Sequence, residues 1–513
     1  MTSSETRNEA RDVGVLVFGR ILAILAEAIM PFVIVRLLGK ADFGAFTGLL
    51  LIYTTLSVIL TAGFPAAILY FLAGRKPESR LAISRRLFRS VMGLGCVIGG
   101  LLYVIGLVGN DVLAALGEWI SDDPSASKDS VDLSYLTFFA LYPVFDVLAR
   151  IFPNFLIAEN RAGTAATFGV FRAIGISTAT VVPAALGAGV SGIVGGMTLF
   201  SMVQGVWIWS IFRKQYRGVA RREAEVTVRE MIRFAFPLGL TDVVNNLNAA
   251  IDRYAILLFM TAAAFAEYRA GAWQLPLTMI AYSVGHVYMP RFVELAKANE
   301  GLEVIRLWRE SIHKVSLIVI PICLVFLVGA EEFVTLAFTE DYLAAVPVFQ
   351  LYVVYTMARV ASFGAVILAA GKATYILRAS LFALLANLVI TVPLTFFLGF
   401  VGPAVGTLIA FIPTVGVYCH YIGKALNIPL TRTFPVVRWL QIVLIASIAA
   451  LPSLGIKMAV APHPATGLIL YAVTTVPLFI VLGRMTRLIQ PEDLKFAKDW
   501  LKLKFLKKGS GTA

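Results

Sequence analysis

The amino-acid sequence predicts an all-α integral membrane protein with about 14 transmembrane helices. Of its 513 residues, 59% are hydrophobic and 15% are charged, and the mean hydropathy is +0.83. A soluble protein does not need this much apolar surface to build a core, so most of it must face lipid. Apolar stretches of about 20 residues, the length of a helix that crosses a bilayer, recur along the chain. The alternating segments of about ten residues that form a spanning β-barrel do not dominate, which favours helices.

Each predicted span is an apolar stretch whose ends follow the change to polar residues. The fourteen spans cover residues 13–37, 46–72, 88–108, 133–157, 164–186, 190–212, 231–259, 269–291, 314–330, 345–369, 375–398, 401–422, 437–456 and 466–483. An even number of spans predicts that both ends of the chain lie on the same side of the membrane.

The basic residues alternate between the two sides of this predicted membrane. With the N-terminus placed inside, 33 of the 44 arginines and lysines lie in inner segments or at inner helix ends, five lie in outer segments, and six lie within or at the edges of spans. This positive-inside distribution explains the net charge of +13 without a nucleic-acid partner. We therefore expect a multi-pass protein of the cell inner (plasma) membrane with both termini in the cytoplasm and no cleavable signal peptide.

Two parts of the sequence read alike, which indicates a repeat of six helices. The segment ARIFPNFLIAENRAGTAA from Ala149 parallels ARVASFGAVILAAGKAT from Ala358, and GVSGIVGG from Gly189 parallels GFVGPAVG from Gly399. The second pair contains Gly-x-x-x-Gly in each copy, a spacing that permits close helix packing. Six crossings return the chain to its starting side, so the copies would be related by an axis along the membrane normal. The predicted fold is two pseudo-symmetric six-helix bundles plus two C-terminal helices.

The repeat divides the chain into six predicted regions. They are a cytoplasmic N-terminal segment (residues 1–12), an N-lobe (13–212), a basic cytoplasmic linker (213–230), a C-lobe (231–422), two further helices (437–483) and a basic cytoplasmic tail (484–513). Within the tail, Leu494, Ala497, Leu501 and Phe505 form an apolar stripe. We expect the tail to lie on anionic lipid of the inner leaflet, with an ordinary solvated tail as the alternative.

Polar side chains inside the predicted membrane point to a transport pathway, since each costs about 2.5 to 3.5 kcal/mol to insert. Arg20 and Glu27 on the first helix are seven residues apart and share a face. The seventh helix carries a polar stripe at helical spacing, made of Asp242, Asn245, Asn246, Asp252 and Arg253. Because these are the first helices of the two bundles, we expect their polar groups to line a pathway. An inter-helix bridge is the alternative for Arg20 and Glu27, and neutralisation of Asp252 is the alternative for Arg253.

The remaining charged groups and possible ligands predict no cofactor and no metal. Asp146 and Arg150 are spaced i, i+4 and are expected to form a structural pair, whereas Arg172 and Arg359 lack an obvious local partner. The three cysteines and four histidines have no shared ligand spacing. No Gly-x-x-x-x-Gly-Lys-Ser/Thr loop occurs, so ATP hydrolysis by that route is not expected.

Several phrases, together with the helix count and the repeat, carry a family resemblance. They are RLLGKADFGAF from Arg36, AGFPAAILYFLAGR from Ala62, NAAIDRYAILLFMTAAAFAEYRAGAWQLP from Asn248 and FVGPAVGTLIA from Phe400. Over nearly its whole length the chain resembles the polysaccharide flippases, the Wzx-like branch of the multidrug/oligosaccharidyl-lipid/polysaccharide (MOP) exporter superfamily. The resemblance implies MATE-like bundles and a flippase, not an enzyme.

This resemblance implies translocation of an undecaprenyl-diphosphate-linked oligosaccharide from the cytoplasmic to the outer leaflet, for synthesis of O-antigen, capsule or exopolysaccharide. Related flippases place cavity arginines on helices 1, 2 and 8, and Arg20 and Arg269 match that placement. Helix 2 has no arginine between residues 46 and 72, and Arg291 is a lesser candidate on helix 8. The implied partners are lipid-linked oligosaccharide and membrane lipid, and a polysaccharide polymerase or export machinery is left open.

Three other functions fit parts of the sequence. A cation-coupled multidrug antiporter would use acidic groups, which Glu27, Asp242 and Asp252 supply. A peptidoglycan-precursor flippase would share the substrate chemistry. A membrane glycosyltransferase or polymerase needs an outer loop rich in acidic residues, whereas the first outer loop offers only Asp42.

Overall fold

The computed structural model describes residues 29–72, 75, 77–120, 131–215, 217, 226–460 and 462–493. Its elements are helices, with no β-strand in these ranges, so the predicted all-α class is confirmed. Arg20, Glu27 and the apolar stripe predicted for the tail lie outside the described residues and stay predictions. The chain forms two compact units, Met1–Arg269 and Ala270–Ala513.

The first unit contains ten helices among its described residues, and an eleventh ends just past its boundary. They are α1 (described over residues 29–37), α2 (Lys40–Leu60), α3 (Phe64–Leu72), α4 (Pro77–Ile120), α5 (Tyr135–Phe139), α6 (Tyr142–Ala158), α7 (Ala162–Ala185), α8 (Gly189–Gln215), α9 (Val228–Asn248), α10 (Ile251–Phe259) and α11 (Ala262–Gly271). The longest of them, α4, has 44 residues and extends well beyond its predicted span of residues 88–108.

The second unit continues the helical pattern in its described residues. Its α-helices are α12 (Thr278–Lys297), α13 (Gly301–Val328), α14 (Ala330–Phe338), α15 (Val346–Ala358), α16 (Phe363–Ala369), α17 (Ala373–Leu398), α18 (Gly402–Leu426), α19 (Val436–Val460) and α20 (Pro464–Met485). Short 3₁₀ helices lie at Glu340–Ala345, Gly399–Val401 and Leu430–Arg432.

Fourteen membrane spans are not confirmed. Within the described ranges, nine helical stretches are long and apolar enough to cross a membrane. Five predicted spans, residues 46–72, 133–157, 231–259, 269–291 and 345–369, are interrupted between two helices, and for 133–157, 231–259 and 269–291 neither helix is part of a stretch that meets the criterion. Residues 375–398 and 401–422 lie in one continuous stretch, Ala373–Leu426, and the span at 13–37 is described only from residue 29.

Backbone chemistry accounts for several of these interruptions. Gly63 has φ of +73°, a left-handed conformation that glycine adopts without a steric cost, and α3 begins directly after it. Pro143 lies in the first turn of α6, where a missing N–H breaks no helical hydrogen bond. Pro276 lies within the non-helical residues 272–277 that separate α11 from α12.

Helices α4, α6 and α8 form the centre of the first unit, with α7 packed against α6 and α8. Two glycines of α4 lie against the backbone of neighbouring segments. Gly95 contacts Pro143 and Val144, and Gly99 contacts Ala140. A Cβ at either glycine would overlap these atoms. Small residues therefore let the helices approach closely, as is common inside membranes.

Helices α17 and α18 pack along each other in the second unit. Gly402 and Gly406 of the predicted Gly-x-x-x-Gly sequence lie against the backbone of Leu394 and Thr391 respectively. A side chain at either position would collide with α17. The prediction of close packing at this sequence is therefore confirmed.

Helices α19 and α20 pack against each other and against α13 of the second unit. Lys457 donates its ammonium to Glu331 at 2.9 Å and to Glu332 at 3.1 Å, and the Tyr471 hydroxyl donates to Glu332 at 2.8 Å. Shared among α14, α19 and α20, these bonds hold the last two helices in place.

The boundary between the two compact units, at Arg269, lies further along the chain than the boundary of the predicted repeat at residues 212–231. Helix α9, which the repeat assigns to the C-lobe, packs against α2, α3 and α4 of the first unit. Gly63 lies against the backbone of Ala235 at this contact, where a Cβ would not fit. The lobe boundaries at residues 212 and 231 describe a sequence repeat and stay a prediction.

Candidate functional site

A buried carboxylate in the first unit binds two arginines. The Asp146 side chain is 0% exposed and lies on α6. Arg150 donates its Nε at 2.7 Å, and Arg172 on α7 lies at 2.8 Å. The hydroxyls of Tyr53 on α2 and Tyr142 on α6 also donate to Asp146. Both carboxylate oxygens are therefore occupied, as an ionised buried group requires.

Neighbouring side chains fix the geometry of this cluster. The ring of Tyr53 meets that of Tyr142 edge to face at 5.2 Å. Arg172 also donates to the amide oxygen of Gln204 on α8, at 3.1 Å. Four helices thus contribute to the cluster, and this number of restraints holds the guanidinium groups in fixed positions.

The cluster carries a net positive charge, because one carboxylate faces two guanidinium groups. Arg172 is largely enclosed, but the Arg150 side chain is 39% exposed. The Arg150 Cζ lies 5.1 Å from the centroid of the Tyr53 ring, a cation–π contact. Arg150 bonds to Asp146 through Nε, so the N–H groups of its two terminal nitrogens are further donors.

The second unit contains an arginine, Arg359, that forms no ion pair with a carboxylate of the described residues. Arg359 follows the last residue of α15, at the interruption before α16. It donates to the Gln274 amide oxygen at 3.1 Å, and its Cζ lies 5.1 Å from the centroid of the Tyr355 ring. Gln274 belongs to the interruption between α11 and α12, so two broken helices meet at this site. Broken helices at membrane depth are tolerated where they are buried in protein or line a water-filled cavity.

Arg150 and Arg359 occupy matching positions in the predicted repeat. Each follows an alanine in the parallel segments that begin at Ala149 and Ala358. Each also lies over a tyrosine ring at the same distance. The residue four positions earlier is Asp146 in the first copy and Tyr355 in the second, so the second copy lacks the carboxylate that partly neutralises the first.

The predicted polar stripe of the seventh helix is divided between α9 and α10. Asp242, Asn245 and Asn246 are exposed side chains on α9. Asp252 on α10 is instead 3% exposed and accepts a hydrogen bond from the Tyr268 hydroxyl at 3.2 Å. Arg253 lies 4.0 Å from Asp252. The structure therefore groups the first three residues on an exposed face and places Asp252 in the protein interior.

Arg253 makes a closer contact with the backbone than with Asp252. Its Nη2 donates to the Ala249 carbonyl at 2.6 Å, in the interruption between α9 and α10. The ion pair between Arg253 and Asp252 is therefore long, and the shorter contact of Arg253 is with the backbone.

The arginines predicted for helix 8 have separate surroundings. Arg269 lies half-buried in the last turn of α11. Arg291 on α12 is exposed and pairs with exposed Glu294 at 2.9 Å. A surface pair of this kind contributes about 0 to 1 kcal/mol, so it leaves Arg291 able to exchange partners.

Sequence reasoning missed the aromatic and amide partners of the arginines. Tyr53, Tyr142 and Gln204 surround the first arginine pair, and Gln274 and Tyr355 surround Arg359. The signal available in the sequence was the unpaired arginine itself, because a buried cation requires acceptors from elsewhere in the chain. Among the described residues, no group of three or more histidines, cysteines, aspartates or glutamates could hold a metal ion.

Known structures share this architecture. The lipid II flippase MurJ, in an inward closed conformation, aligns with a TM-score of 0.66 and 14% identity, covering 93% of this chain and 98% of that chain. A MOP superfamily transporter from Pyrococcus furiosus aligns with a TM-score of 0.50 and 16% identity, covering 82% and 95%. An outward-facing multidrug resistance MATE family transporter of the same superfamily gives 0.50 and 16%, covering 82% and 96%. A search of curated proteins found no match.

The apolar helices and the fold define a multi-pass membrane protein with the architecture of these MOP superfamily structures. Residues 10–296 match the family model described as polysaccharide biosynthesis protein. Because this match covers more than half of the 513 residues, the chain belongs to the polysaccharide biosynthesis protein family. The resemblance inferred from the sequence is confirmed at this level.

Proposed function

We propose that this protein is a flippase that moves a lipid-linked oligosaccharide, carried on undecaprenyl diphosphate, from the cytoplasmic to the outer leaflet for surface polysaccharide synthesis. The observation that carries the proposal is the pair Arg150 and Arg359. Each lies over a tyrosine ring at a matching position of the repeat. Among the described residues, Arg150 and Arg172 share the single carboxylate of Asp146, and Arg359 pairs with none.

The chemistry of a diphosphate supports this choice of substrate. Guanidinium groups bind phosphate oxygens through two parallel N–H bonds, and such charge-assisted bonds are stronger than neutral ones. The carrier lipid can remain in hydrocarbon while its charged head group passes through the protein. An excess of fixed cations in the interior lowers the cost of that passage.

Exposed polar groups on α9 supply contacts suited to sugar hydroxyls. Asn245 and Asn246 each offer two amide donors and an acceptor oxygen, and Asp242 offers acceptors. An exposed polar face on a helix at membrane depth needs water or a polar ligand beside it. We therefore assign this face, with Arg253, Arg269 and Arg291 as lesser members, to the substrate pathway together with Arg20 and Glu27.

The membrane orientation that this function needs is also a proposal. The distribution of arginine and lysine supports an inner-membrane location with both termini in the cytoplasm. A flippase would then receive its substrate on the inner side, and a polysaccharide polymerase or export system would act on it outside.

The first test is complementation in a strain that lacks the gene. Wild type, Arg359→Gln and the control Arg484→Gln, an exposed arginine at the end of α20, are expressed at matched levels, and surface polysaccharide and carrier-linked intermediates are measured. The glutamine variant loses a charge-assisted contact worth about 1.5 to 3 kcal/mol, so we expect apparent substrate affinity to fall by roughly tenfold or more. Polysaccharide should decline and oligosaccharide carrier should accumulate on the cytoplasmic side.

Three outcomes contradict the proposal. Unchanged polysaccharide with raised sensitivity to cationic drugs would support a cation-coupled antiporter, for which Asp242 and buried Asp252 are the candidate groups. Accumulation of peptidoglycan precursor would identify that lipid-linked molecule as the substrate in place of the oligosaccharide. Normal translocation combined with loss of glycosyl transfer would identify an enzyme.

A further inference from the structure

A large polar cavity lies in the second unit, away from Arg359. It has a volume of about 590 Å³. Its walls come from the start of α13, the connection between α18 and α19, and the residues after α20. The charged and titratable residues that line it are Arg306, Arg309, Glu310, His313, Lys314, Arg432, Arg438, Glu492 and Asp493. We call it the basic groove, since five cationic side chains face three carboxylates.

Two of the five cations in the basic groove are already paired. Arg306 bonds to Glu303 at 2.5 Å, and Lys314 bonds to Glu310 at 2.6 Å. In contrast, Arg309, Arg432 and Arg438 have no ion pair within 4.0 Å to a carboxylate of the described residues. These three exposed arginines supply the positive charge that an anion would meet.

His313 is an independent sign of a missing ligand. Its side chain is 7% exposed and lines the groove, and neither ring nitrogen has a hydrogen-bond partner among the described residues. Asp493 lies 3.6 Å away, which is too long for a hydrogen bond. Buried polar groups are nearly always bonded, so an acceptor in the groove would satisfy a nitrogen that the protein leaves unpaired.

The sequence places these groups on one surface. Arg306, Arg309 and His313 are spaced three and four residues apart, so they share a face of α13. Arg438 lies in the first turn of α19, where the helix dipole adds further positive potential. The arrangement therefore concentrates donors and positive charge on one cavity.

The position of the basic groove points to the membrane surface. Helix α18 ends here, α19 begins here and α20 ends here, and these are apolar helices able to span a membrane. Val437 and Leu440, beside Arg438, are exposed apolar side chains suited to contact with acyl chains. By the distribution of basic residues this is the inner face.

The geometry points to a regulatory or anchoring site in the basic groove for the phosphate group of an anionic lipid of the inner leaflet. The volume suits a head group of that size, since small-molecule sites run from about 300 to 1,000 Å³. Basic pockets between membrane helices on the cytoplasmic side are suited to this ligand. The site lies outside the residues assigned to the substrate pathway and does not depend on the proposed function.

The test measures lipid binding to the purified full-length chain. Native mass spectrometry and thermal unfolding are followed in a neutral detergent with phosphatidylglycerol, with phosphatidylcholine and with inorganic pyrophosphate. The variants are Arg309→Gln/Arg438→Gln and, on the 3₁₀ turn, Arg432→Gln alone. The control is Arg484→Gln, which removes the same charge from an exposed residue that does not line the groove.

We expect wild type to bind phosphatidylglycerol in preference to phosphatidylcholine, and the double variant to bind it at least about tenfold more weakly, while the control binds normally. If the double variant does not fold, Arg432→Gln is the second test. This single change on an exposed turn is expected to weaken phosphatidylglycerol binding as well. Stabilisation by pyrophosphate that the variants lose supports the same anion site with a soluble phosphate as its ligand. Equal binding by all variants, or equal loss in the control, overturns the inference.

Discussion

Asp146 determines the charge of the first unit's interior, because it is the carboxylate to which both Arg150 and Arg172 bind. A buried ion pair gains little over an apolar substitute, but removing one partner leaves an uncompensated buried charge. Here the loss of one acid would leave two guanidinium groups facing each other. The stability of the first unit should therefore depend more on Asp146 than on any single donor to it.

We predict that Asp146→Asn lowers the free energy of unfolding by about 3 to 5 kcal/mol. Tyr142→Phe removes one donor and leaves Asp146 with the rest of its bonds, so we expect a loss of about 1 kcal/mol. Denaturant unfolding of the purified protein in detergent measures both. Equal stability of wild type and Asp146→Asn would mean that the cluster is not an ion-pair network.

Sequence spacing predicted part of this cluster. The pair Asp146 and Arg150 follows from the i, i+4 rule, which needs only one helix. The partner of Arg172 could not be predicted, because Asp146 lies 26 positions earlier on a different helix. Arg359 differs again, since its partner Gln274 is 85 positions away and belongs to an interruption that the hydropathy pattern does not reveal.

At the scale of helices, the polar stripe was predictable but the end of α9 was not. Periodicity placed Asp242, Asn245 and Asn246 on one face, and they are exposed together. The break falls at Ala249 and Ala250, although alanine is the best helix former. Tertiary packing therefore overrides the local helix propensity at this position. Because the helix breaks here, Asp252 lies in the protein interior and not on the exposed face of α9.

The start of α9 is closed by a capping box that contains a titratable carboxyl, Glu230. Glu230 accepts the Thr227 backbone N–H at 2.7 Å, and the Thr227 hydroxyl accepts the Glu230 N–H at 3.2 Å. The hydrogen bond from the Thr227 backbone N–H, followed by one from the Thr227 side chain, lowers the pKa of the Glu230 carboxyl below its usual value. A group whose pKa is lower in the folded state stabilises above its unfolded pKa of about 4.3, and that contribution is lost as pH falls through the folded value.

We predict that amide hydrogen exchange in the first turn of α9, corrected for the intrinsic rate, speeds up as the pH falls below about 4.3. Glu230→Gln keeps an acceptor for the box but cannot titrate, so its corrected exchange should stay level over the same range. Thr227→Ala should raise exchange at every pH, because the hydroxyl cap is lost. Parallel pH profiles for wild type and Glu230→Gln would show that the carboxylate does not close this helix.

For the whole molecule, hydropathy and packing report different properties. Hydropathy shows which residues can face lipid, and it placed helices in the right parts of the chain. It does not show which helices pack together, and the first compact unit includes α9, which contacts α2, α3 and α4. The repeat and the compact units need not share a boundary, because duplication acts on the gene and packing acts on the folded chain.

Membrane orientation is the whole-molecule property that the arginine and lysine distribution predicts. Two exposed positions of the second unit lie on opposite predicted sides: Ala298, after α12, inside, and Asp341, in the 3₁₀ helix after α14, outside. We predict that Asp341→Cys reacts with a membrane-impermeant maleimide on intact cells, and that Ala298→Cys reacts only after permeabilisation.

The three native cysteines permit a clean background for this measurement. Cys323 and Cys419 are buried, and exposed Cys96 is replaced by alanine in every sample. Because both test positions are exposed, a difference between them reports the side of the membrane and not burial. Labelling of Ala298→Cys on intact cells, with Asp341→Cys protected, would invert the orientation and place the basic groove in the outer leaflet, so that the lipid of the basic groove would have to come from the opposite monolayer.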